Sequence, residues 1–434
     1  MAPRRDRLPA AAEPLLAATK ATLDPATAAD AIERLADAQD ETAARTINLN
    51  PAANVMNPRA EALLARGLST RPALGPPGAK HEAGVEALER MEAIAIAMAR
   101  RVFGAAHAEV RLASGTIANL CAYLALTRPG DTVIVPPPAI GGHASHLGNG
   151  SAGLRGLRVL EAPVDAARYA IDLDELAALA GAERPALIVA GGSLNLFPPD
   201  IATLRSIADR TGALVLYDAA HVAGLVAGHA WPQPLADGAH LVTMSTYKSL
   251  GGPAGGLVLT DDPAIAAKID RVAFPGLSAN SDIARAAALA VALGDSHVNG
   301  HAYAAAMIAT AHALATALAG EGVPVFAAGH GFTASHQFAV DAGALGGAEA
   351  AVKRLAAAGL FASSIMLPGD TPGHPRGVRM GTPELARRGM TSADMPELAR
   401  LIGAALLSRE APDSLHPQVT AMRKRLVGLD FVVR

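Results

Sequence analysis

The sequence predicts an α/β protein in which helices flank a mainly parallel sheet, followed by a smaller C-terminal α+β domain. Three observations favour this class. Between residues 109 and 260, short apolar runs alternate with helical patterns, as in repeated strand–helix units. Of the 434 residues, 51% are hydrophobic and only 18% are charged, so the chain can bury a large interior. The length also exceeds what one simple core needs.

The predicted strands are short, apolar and bounded by turn residues. They cover 109–112, 132–135, 157–160, 186–190, 214–217, 241–242 and 256–259. The helices predicted before and between them cover 85–103, 116–126, 173–180 and 201–211. Two long helices are expected at about 283–294 and 301–320. The last section is predicted to hold strands near 337–341 and 377–380 and helices near 348–358 and 394–408.

We divide the chain into an N-terminal helical segment (1–65), a large α/β domain (66–300) and a small α+β domain (301–434). The alanine-rich helical pattern of the first 45 residues ends near Pro51, which breaks helices together with the asparagines around it. A loop over 68–84 is rich in proline and glycine, and it is long enough to be functional.

Charge and composition point away from several classes of protein. The net charge of −3 gives no sign of nucleic-acid or membrane-surface binding. No run approaches the roughly 20 apolar residues that span a bilayer, and the N-terminus lacks a signal-peptide core. Cys121 is the single cysteine, which excludes an intrachain disulfide and a cysteine-based metal cluster. We therefore expect a soluble, cytoplasmic protein without nucleic-acid or membrane partners.

Lys248 is the residue around which a site can be built. It stands between two short apolar strands in the segment Leu241–Leu259, which also contains a glycine-rich turn. Burying an unpaired ammonium costs several kcal/mol, on the order of 2–7 for a polar group. A desolvated amine loses its proton more easily and attacks carbonyl groups. The alternative is an ordinary lysine in an exposed loop.

Three further stretches carry polar groups near predicted strand ends. Ser114–Thr116 opens a helix, where backbone amides bind anions, although such residues also serve as simple caps. His143 follows two glycines, and with His146 it suggests a metal, but no third ligand is apparent nearby. Asp218 ends an apolar strand at the edge where α/β sheets bind ligands, and helix capping is its alternative role.

Taken together, these groups describe a site for an aldehyde cofactor. The phosphate would lie at the helix that starts near Ser114, and the Asp218 carboxylate would neutralise a pyridine nitrogen. Lys248 would form the Schiff base with the aldehyde, and His143 would face the ring.

Three segments resemble those of serine hydroxymethyltransferases, which are pyridoxal-phosphate enzymes of fold type I in the aspartate aminotransferase superfamily. The first is Asp-Ala-Ala-His-Val-Ala-Gly-Leu-Val-Ala over 218–227. The second is Ser-Thr-Tyr-Lys-Ser-Leu-Gly-Gly-Pro-Ala-Gly-Gly-Leu over 245–257. The third is Gly-Val-Arg-Met-Gly-Thr-Pro over 377–383, with Arg-Arg-Gly over 387–389. The likeness covers most of residues 45–410.

The resemblance implies pyridoxal 5′-phosphate as the cofactor and a role for each matching residue. Lys248 would be the Schiff-base lysine, Asp218 the partner of the pyridine nitrogen, and His143 the residue that stacks on the ring. The phosphate would be held by Ser114, Gly115, Thr116 and Ser245. The ring oxygen or the substrate side would be contacted by Ser193 and His221, and Arg379 would bind the substrate carboxylate. The other predicted substrate-binding residues are Asn54, His81 and Tyr247. A homodimer with shared active sites is also implied.

The departures from the family pattern put a tetrahydrofolate partner in doubt. Leu74 stands where the family has a catalytic glutamate, and Pro72 and His81 stand where it has tyrosines. Tyr247 replaces a histidine. In the family, one turn reaches the cofactor phosphate of the partner subunit, and another segment lies on the folate side of the site. The first differs here over 274–281, and the second differs over 363–365. Lys80 and His81 leave basic character at the mouth, which favours an anionic substrate.

We therefore predict folate-independent aldol-type cleavage or formation of a β-hydroxy amino acid (an aldolase or transaldolase), since the scaffold resembles one that breaks Cα–Cβ bonds. The general base would be His143, His221 or His81. The alternatives are a serine or α-methylserine hydroxymethyltransferase with a modified folate site; an aminotransferase, racemase or decarboxylase on the same scaffold; and a non-catalytic homologue that binds the cofactor.

Overall fold

The structure is a computed structural model that describes residues 12–434. Its strands, in chain order, are β1 (Ile47–Asn48), β2 (His107–Glu109), β3 (Thr132–Val135), β4 (Arg158–Glu161), β5 (Val164–Asp165), β6 (Ala170–Ile171), β7 (Leu187–Gly191), β8 (Leu214–Asp218), β9 (Leu241–Ser245), β10 (Gly256–Thr260), β11 (Gln337–Asp341), β12 (Leu360–Phe361), β13 (Ser363–Ile365) and β14 (Gly377–Gly381).

The α-helices are α1 (Ala12–Thr22), α2 (Ala28–Arg45), α3 (Pro58–Leu64), α4 (Glu86–Phe103), α5 (Gly115–Leu126), α6 (Ser151–Leu154), α7 (Leu173–Glu183), α8 (Ile201–Thr211), α9 (Ala223–Ala227), α10 (Pro263–Arg271), α11 (Ile283–Gly320), α12 (Gly347–Ala357), α13 (Pro383–Arg387), α14 (Met395–Leu406) and α15 (Pro412–Lys424). Short 3₁₀ turns join several of them.

A seven-stranded sheet with the order β2-β10-β9-β8-β7-β3-β4 organises the larger part of the molecule. The neighbours from β9 to β4 pair in parallel, whereas β10 runs antiparallel to β9 and β2. The apolar runs that form β3, β7, β8 and β9 are buried on both faces, as expected for parallel strands covered by helices. The predicted α/β class with a mainly parallel sheet is confirmed.

A three-stranded antiparallel sheet, β11-β14-β13, lies in the C-terminal section with α12, α14 and α15. Its core, which includes Phe338, Met380 and Leu398, is separate from the cluster around the large sheet. The long helix α11 contributes Leu289 and Leu293 to one cluster and Leu314 and Leu318 to the other. The division at 65/66 and 300/301 stays a prediction, and residue 300 lies inside α11.

Two expectations about secondary structure were wrong, and two elements were missed. The strand expected at 109–112 is β2, at His107–Glu109, because Arg285 Nη1 and Nη2 donate to the carbonyls of Leu112 and Arg111. The helices expected at 283–294 and 301–320 form one helix, α11. Strand β13 and helix α15 were not predicted at all. Of the predicted N-terminal helical pattern, residues 1–11 lie outside the described part, and the rest forms α1 and α2.

Helix α11 also corrects the expectation that no segment is apolar enough to span a bilayer. Among the described residues, it is the one helix that is long and apolar enough to do so by length and composition alone. The core helix of a globular protein satisfies the same criterion, and α11 supplies buried side chains to both apolar clusters.

Helix α11 passes close to the end of α9 at Gly300. A Cβ on Gly228, at the end of α9, would overlap the carbonyl oxygen of Gly300 and lie 2.6 Å from the Cβ of Ala304. We therefore expect Gly228→Ala to lower the free energy of unfolding by about 2 kcal/mol or more through overpacking. Gly294→Ala, on the open side of α11, is the matched control and is expected to raise it by about 1 kcal/mol.

Chemical denaturation of the two variants measures this difference. Equal stabilities for Gly228→Ala and the unchanged protein would show that α9 and α11 do not approach as closely as the structure places them.

Candidate active site

The parallel strands of the large sheet end at one edge, and the predicted site residues meet there. Asp218 is the last residue of β8 and Ser245 the last residue of β9. The edge opens into a cavity of about 90 Å³. It is lined by Ser114, Gly115, Thr116, Asn119, His143, Gly192, Ser193, Asp218, Ala220, His221, Ser245, Tyr247 and Lys248. The structure thus brings together every predicted cofactor-binding residue, although their individual roles stay predictions.

The start of α5 forms one end of the cavity. Ser114 is the N-cap, and its Oγ accepts from the amide of Ile117 at 3.2 Å. A Cβ on Gly115 would collide with Ser245 Oγ, so the first turn lies directly against the end of β9. The remaining free amides of this 12-residue helix favour an anion in front of them.

Asp218 is held as a buried carboxylate at the floor of the cavity. Its Oδ2 accepts from Asn119 Nδ2 at 2.9 Å and lies 2.8 Å from His146 Nε2, while Oδ1 accepts from the Ala220 amide. Burial alone would raise the pKa of this carboxyl, but the hydrogen bonds from His146 and Asn119 and the charge of the imidazole outweigh burial. The pKa therefore lies well below its usual range, and Asp218 is ionised.

His146 and Asn119 are the residues that the sequence reasoning missed. His146 was considered with His143 as part of a metal site, but its Nδ1 lies 2.7 Å from the Tyr123 hydroxyl and its Nε2 faces Asp218. No group of three or more potential metal ligands occurs among residues 12–434. Asn119 and Tyr123 are one helical turn apart in α5, and this i, i+4 spacing of polar residues was the available signal.

Lys248 is buried, with only 6% of its surface exposed. Its Nζ lies 3.1 Å from His221 Nε2. The pKa of this amine is lowered to about 8, chiefly by burial; Asp218 acts in the opposite direction, and the nearby Arg379 contributes to the lowering. A substantial fraction of the amine is therefore neutral near pH 8, and it can act as a nucleophile.

His221 presents the lone pair of its Nε2 to the same space. Burial, followed by the charges of Lys248 and Arg379, lowers the pKa of His221 well below its ordinary value, so the ring is neutral. Nε2 faces Lys248 Nζ and lies 3.4 Å from Arg379 Nη1. Because both neighbours are donors, Nε2 is the acceptor nitrogen. Nδ1 is buried and has no partner among the described residues.

His143 lines the cavity in the opposite tautomer. Its Nδ1 accepts from the Ser145 amide at 3.2 Å and lies 2.7 Å from Ser145 Oγ, which in turn accepts from Asn119. Since Nδ1 is an acceptor, Nε2 of the neutral ring carries the proton. Burial lowers the pKa of His143 and favours this neutral form. His143 is therefore less suited than His221 to take up a proton at a cavity-facing atom.

Arg379 approaches the cavity from β14. It donates to the Ser193 carbonyl at 2.5 Å and to Ser363 Oγ at 3.2 Å. Within residues 12–434, no carboxylate lies within 4 Å of this guanidinium, and burial lowers its pKa to about 10. A buried cation without a carboxylate partner is energetically costly, and an incoming substrate carboxylate would compensate it.

Of the remaining predicted substrate-binding residues, one lines the cavity and two do not. Tyr247 lines the cavity, is 38% exposed and has its ring centroid 5.9 Å from Lys248 Nζ. Asn54 and His81 are not among the described residues that line it. Asn54 Nδ2 instead donates to the carbonyl of Lys248. His81 is exposed and packs edge-on against Phe274 with ring centroids 5.8 Å apart.

The expectation of a basic mouth at Lys80 was wrong. Lys80 Nζ is buried and donates to Glu92 at 2.6 Å and to the carbonyls of Ala73 and Gly75. The positive charge of Lys80, which the sequence suggested would favour an anionic substrate, is thus neutralised by Glu92 of α4. Nothing in this arrangement favours an acidic side chain on the substrate.

The lowered pKa of Lys248 leads to a prediction about cofactor attachment. Only the neutral amine reacts with an aldehyde, so the rate at which the apoprotein takes up pyridoxal 5′-phosphate will rise with pH around a midpoint of about 8. Arg379→Gln removes a cation that lowers this pKa and will move the midpoint upward. Visible absorbance against pH measures both. A midpoint near that of free lysine would contradict the buried position of Lys248.

Comparison with known proteins decides the family. A profile described as serine hydroxymethyltransferase matches residues 26–402. The chain belongs to this family. It is 53% identical over 436 aligned positions to an alpha-methylserine aldolase of Variovorax paradoxus, covering 99% of each chain. It is 51% identical to an alpha-methylserine aldolase of a Ralstonia species, covering 89% of this chain and 88% of that one.

Members named serine hydroxymethyltransferase are more distant. That of Methanopyrus kandleri is 38% identical over 381 positions, covering 87% of this chain and 89% of its own. These comparisons confirm the predicted serine hydroxymethyltransferase-like family and its fold type I, an enzyme of the transferase or lyase kind, and the predicted aldol-type activity on this scaffold. The family is one of pyridoxal-phosphate enzymes that act on small amino acids.

Proposed function

We propose that the chain cleaves α-methylserine to alanine and formaldehyde, with pyridoxal 5′-phosphate as cofactor and without tetrahydrofolate. One observation carries the proposal: a nucleophilic Lys248 and a buried Arg379, which has no carboxylate partner among residues 12–434, meet at His221. The names of the most similar relatives support this choice of substrate.

The residues of the cavity fit pyridoxal phosphate. We infer that the start of α5 and Ser245 hold the phosphate, that Asp218 pairs with the protonated pyridine nitrogen, and that Lys248 binds the aldehyde carbon. Asp218 suits this role because Asn119 and His146 keep it ionised. When bound, the cofactor supplies an electron sink for the pair released at Cα.

The substrate itself limits the bonds that can break. The Cα of α-methylserine carries a methyl group in place of hydrogen, so racemisation and ordinary transamination have no Cα proton to remove. In the aldol-type reaction the Cα–Cβ bond breaks and its electron pair stays at Cα. The hydroxymethyl group loses its hydroxyl proton and leaves as formaldehyde, and protonation of Cα yields alanine. Arg379 would hold the carboxylate, which fixes the orientation of the Cα bonds.

His221 is the histidine that we assign to the hydroxyl proton, because its Nε2 lone pair faces the cavity and the ring is neutral. Leu74, at the position of the family's glutamate, cannot titrate. The nearby carboxylate of Glu82 accepts a hydrogen bond from the Leu74 amide at 2.7 Å, and so binds the backbone of the loop over 68–84 to which it belongs.

We expect His221→Asn to lower kcat by roughly 10²-fold or more, because general-base catalysis contributes on that scale. Cofactor binding should persist, since Lys248 and Asp218 remain. His312→Asn, at an exposed position of α11, is the matched control and should leave kcat unchanged. If His221→Asn retained full activity while holding the cofactor, His221 would not be the group that accepts the hydroxyl proton.

Product analysis tests the proposed reaction. The purified protein is incubated with α-methylserine and pyridoxal phosphate, with and without tetrahydrofolate. We expect formaldehyde to appear at the same rate in both reactions. A strict requirement for tetrahydrofolate would instead indicate hydroxymethyl transfer. Release of carbon dioxide would instead indicate decarboxylation.

We also propose that the chain is a homodimer. Helices α1 and α2 have no buried residue in the described part of the chain, and they expose Leu15, Leu16, Ile32 and Leu35. Apolar side chains on successive helices are typical of a surface that a second copy covers. Light scattering of Leu16→Glu and Leu35→Glu against the unchanged protein tests this, with monomers expected for the double variant. Shared active sites and a cytoplasmic location stay predictions.

A further inference from the structure

The last five residues of the chain form a strap that is fixed at several points. We use "strap" for residues 430–434. The Asp430 amide donates to the Arg387 carbonyl at 2.7 Å, and the Val433 amide donates to Asp295 Oδ1 at 2.6 Å. Asn57 Nδ2 bridges the same Asp295 oxygen and the Val433 carbonyl. These contacts fix the strap to Arg387, Asp295 and Asn57.

The strap inserts one aromatic ring into the molecule. Phe431 stacks on Tyr303 with ring centroids 5.2 Å apart and an interplanar angle of 27°. Phe431 adopts a left-handed backbone conformation, with φ of 59°. A bulky residue occupies this region at a cost on the order of 1–3 kcal/mol, so the surrounding contacts must hold it there.

Tyr303 connects the strap to the turn that carries Lys248. Its hydroxyl donates to the Pro383 carbonyl at 2.8 Å and accepts from Asn54 Nδ2 at 2.9 Å. The second hydrogen of the same Asn54 amide is donated to the Lys248 carbonyl at 2.8 Å. A continuous series of contacts therefore runs from Phe431 through Tyr303 and Asn54 to the backbone of Lys248.

Arg387 adds a second connection to the same turn. Its guanidinium lies 4.9 Å from the centroid of the Tyr303 ring, and its Nη1 donates to the carbonyls of Val55 and Gly251 at 3.1 and 3.4 Å. Gly251 closes the turn, because its amide donates to the Lys248 carbonyl at 2.9 Å. The Lys248 carbonyl thus accepts two hydrogen bonds, from Asn54 and Gly251. These bonds fix the backbone from which the Lys248 side chain extends.

We infer that the C-terminal strap, acting through Phe431, Tyr303 and Asn54, positions Lys248 for its reaction with the cofactor. These are positioning residues, because none of them lines the cavity among the described residues. The inference rests on the proposed function for one point only, that Lys248 binds the aldehyde of pyridoxal phosphate. It also gives Asn54 a role different from substrate binding.

The test uses the full chain with Asn54→Ala, Phe431→Leu and the double variant, and Val427→Ala as control. Val427 is 93% exposed and lies just before the strap. The rate of pyridoxal phosphate attachment, its pH midpoint, kcat and KM are measured, together with the thermal unfolding temperature. We expect each single variant to lower the attachment rate and kcat roughly 10- to 100-fold, the loss typical of a misplaced reacting group. KM for α-methylserine should change little.

The double variant separates positioning from independent structural damage. If Phe431 acts through Asn54, the losses in the double variant will be no greater than in Asn54→Ala alone. Attachment and kcat unchanged in Asn54→Ala would overturn the inference, as would losses that multiply in the double variant. Should Phe431→Leu fail to fold, Asn54→Ala decides alone.

The unchanged protein distinguishes this inference from the proposed function. If it does not take up pyridoxal phosphate on Lys248, the proposed function fails. If it does and the variants match it in rate and pH midpoint, the role of the strap fails while the proposed function stands.

Discussion

Replacing Lys248 with alanine is expected to lower turnover of α-methylserine by roughly 10⁴-fold or more, because the amine that reacts within the site is lost and effective molarities of such groups are very large. The protein should remain folded. The Lys248 side chain has one hydrogen-bonding partner among the described residues, His221, and burial of its ammonium opposes folding.

Lys268→Ala is the matched control for this prediction. Lys268 is exposed on α10, and its replacement should leave turnover unchanged. Turnover and thermal unfolding are measured on both variants. A Lys248→Ala protein that kept a tenth of the activity would show that the reaction does not pass through this amine.

The second large effect is expected at Arg379. Arg379→Gln should lower kcat/KM roughly 10²- to 10⁴-fold, since two charge-assisted hydrogen bonds to a carboxylate are worth about 1.5–3 kcal/mol each. Arg379→Lys keeps a charge but loses the bidentate geometry, and it should fall between the glutamine variant and the unchanged protein. Steady-state kinetics give these values.

The stability of Arg379→Gln should not fall with its activity. Arg379 is buried without a carboxylate partner in the described part of the chain, so the neutral glutamine removes a desolvated charge. We expect the unfolding temperature of Arg379→Gln to be unchanged or higher. Arg271→Gln, at an exposed position of α10, is the control for both measurements. Normal kcat/KM in Arg379→Gln would remove Arg379 from the substrate site.

The fold was predicted best where one local signal dominates. Strand β3 and helix α8 have the predicted bounds because β3 is a short, mostly buried apolar run and α8 has clear periodicity. The close approach of α9 to α11 at Gly300 was not predicted, because helix propensity does not show which helices pack together. Strand β13, Ser363–Ile365, has few apolar residues, and it forms because β14 offers it a partner.

The part of the site that lies at the strand ends was predictable from the order of strands and helices along the chain. Parallel strands place their carboxyl ends at one edge, so Asp218 and Ser245 had to lie close together. Asn119 and His146 were missed because their contacts join α5, the loop after β3 and the end of β8 across up to 99 positions. The contacts of Lys80 and Asn54 were not predicted for the same reason: their partners, Glu92 and the Lys248 carbonyl, are set by tertiary packing.

Identifying the lysine that binds the cofactor tests the central claim most directly. The protein is saturated with pyridoxal 5′-phosphate, reduced with borohydride, digested, and analysed by mass spectrometry. The chain has six lysines, at positions 20, 80, 248, 268, 353 and 424, and Lys248 is the one that lines the cavity. We expect one pyridoxyl group per chain, on the peptide that contains Lys248. Labelling of another lysine, or of none, would contradict the account.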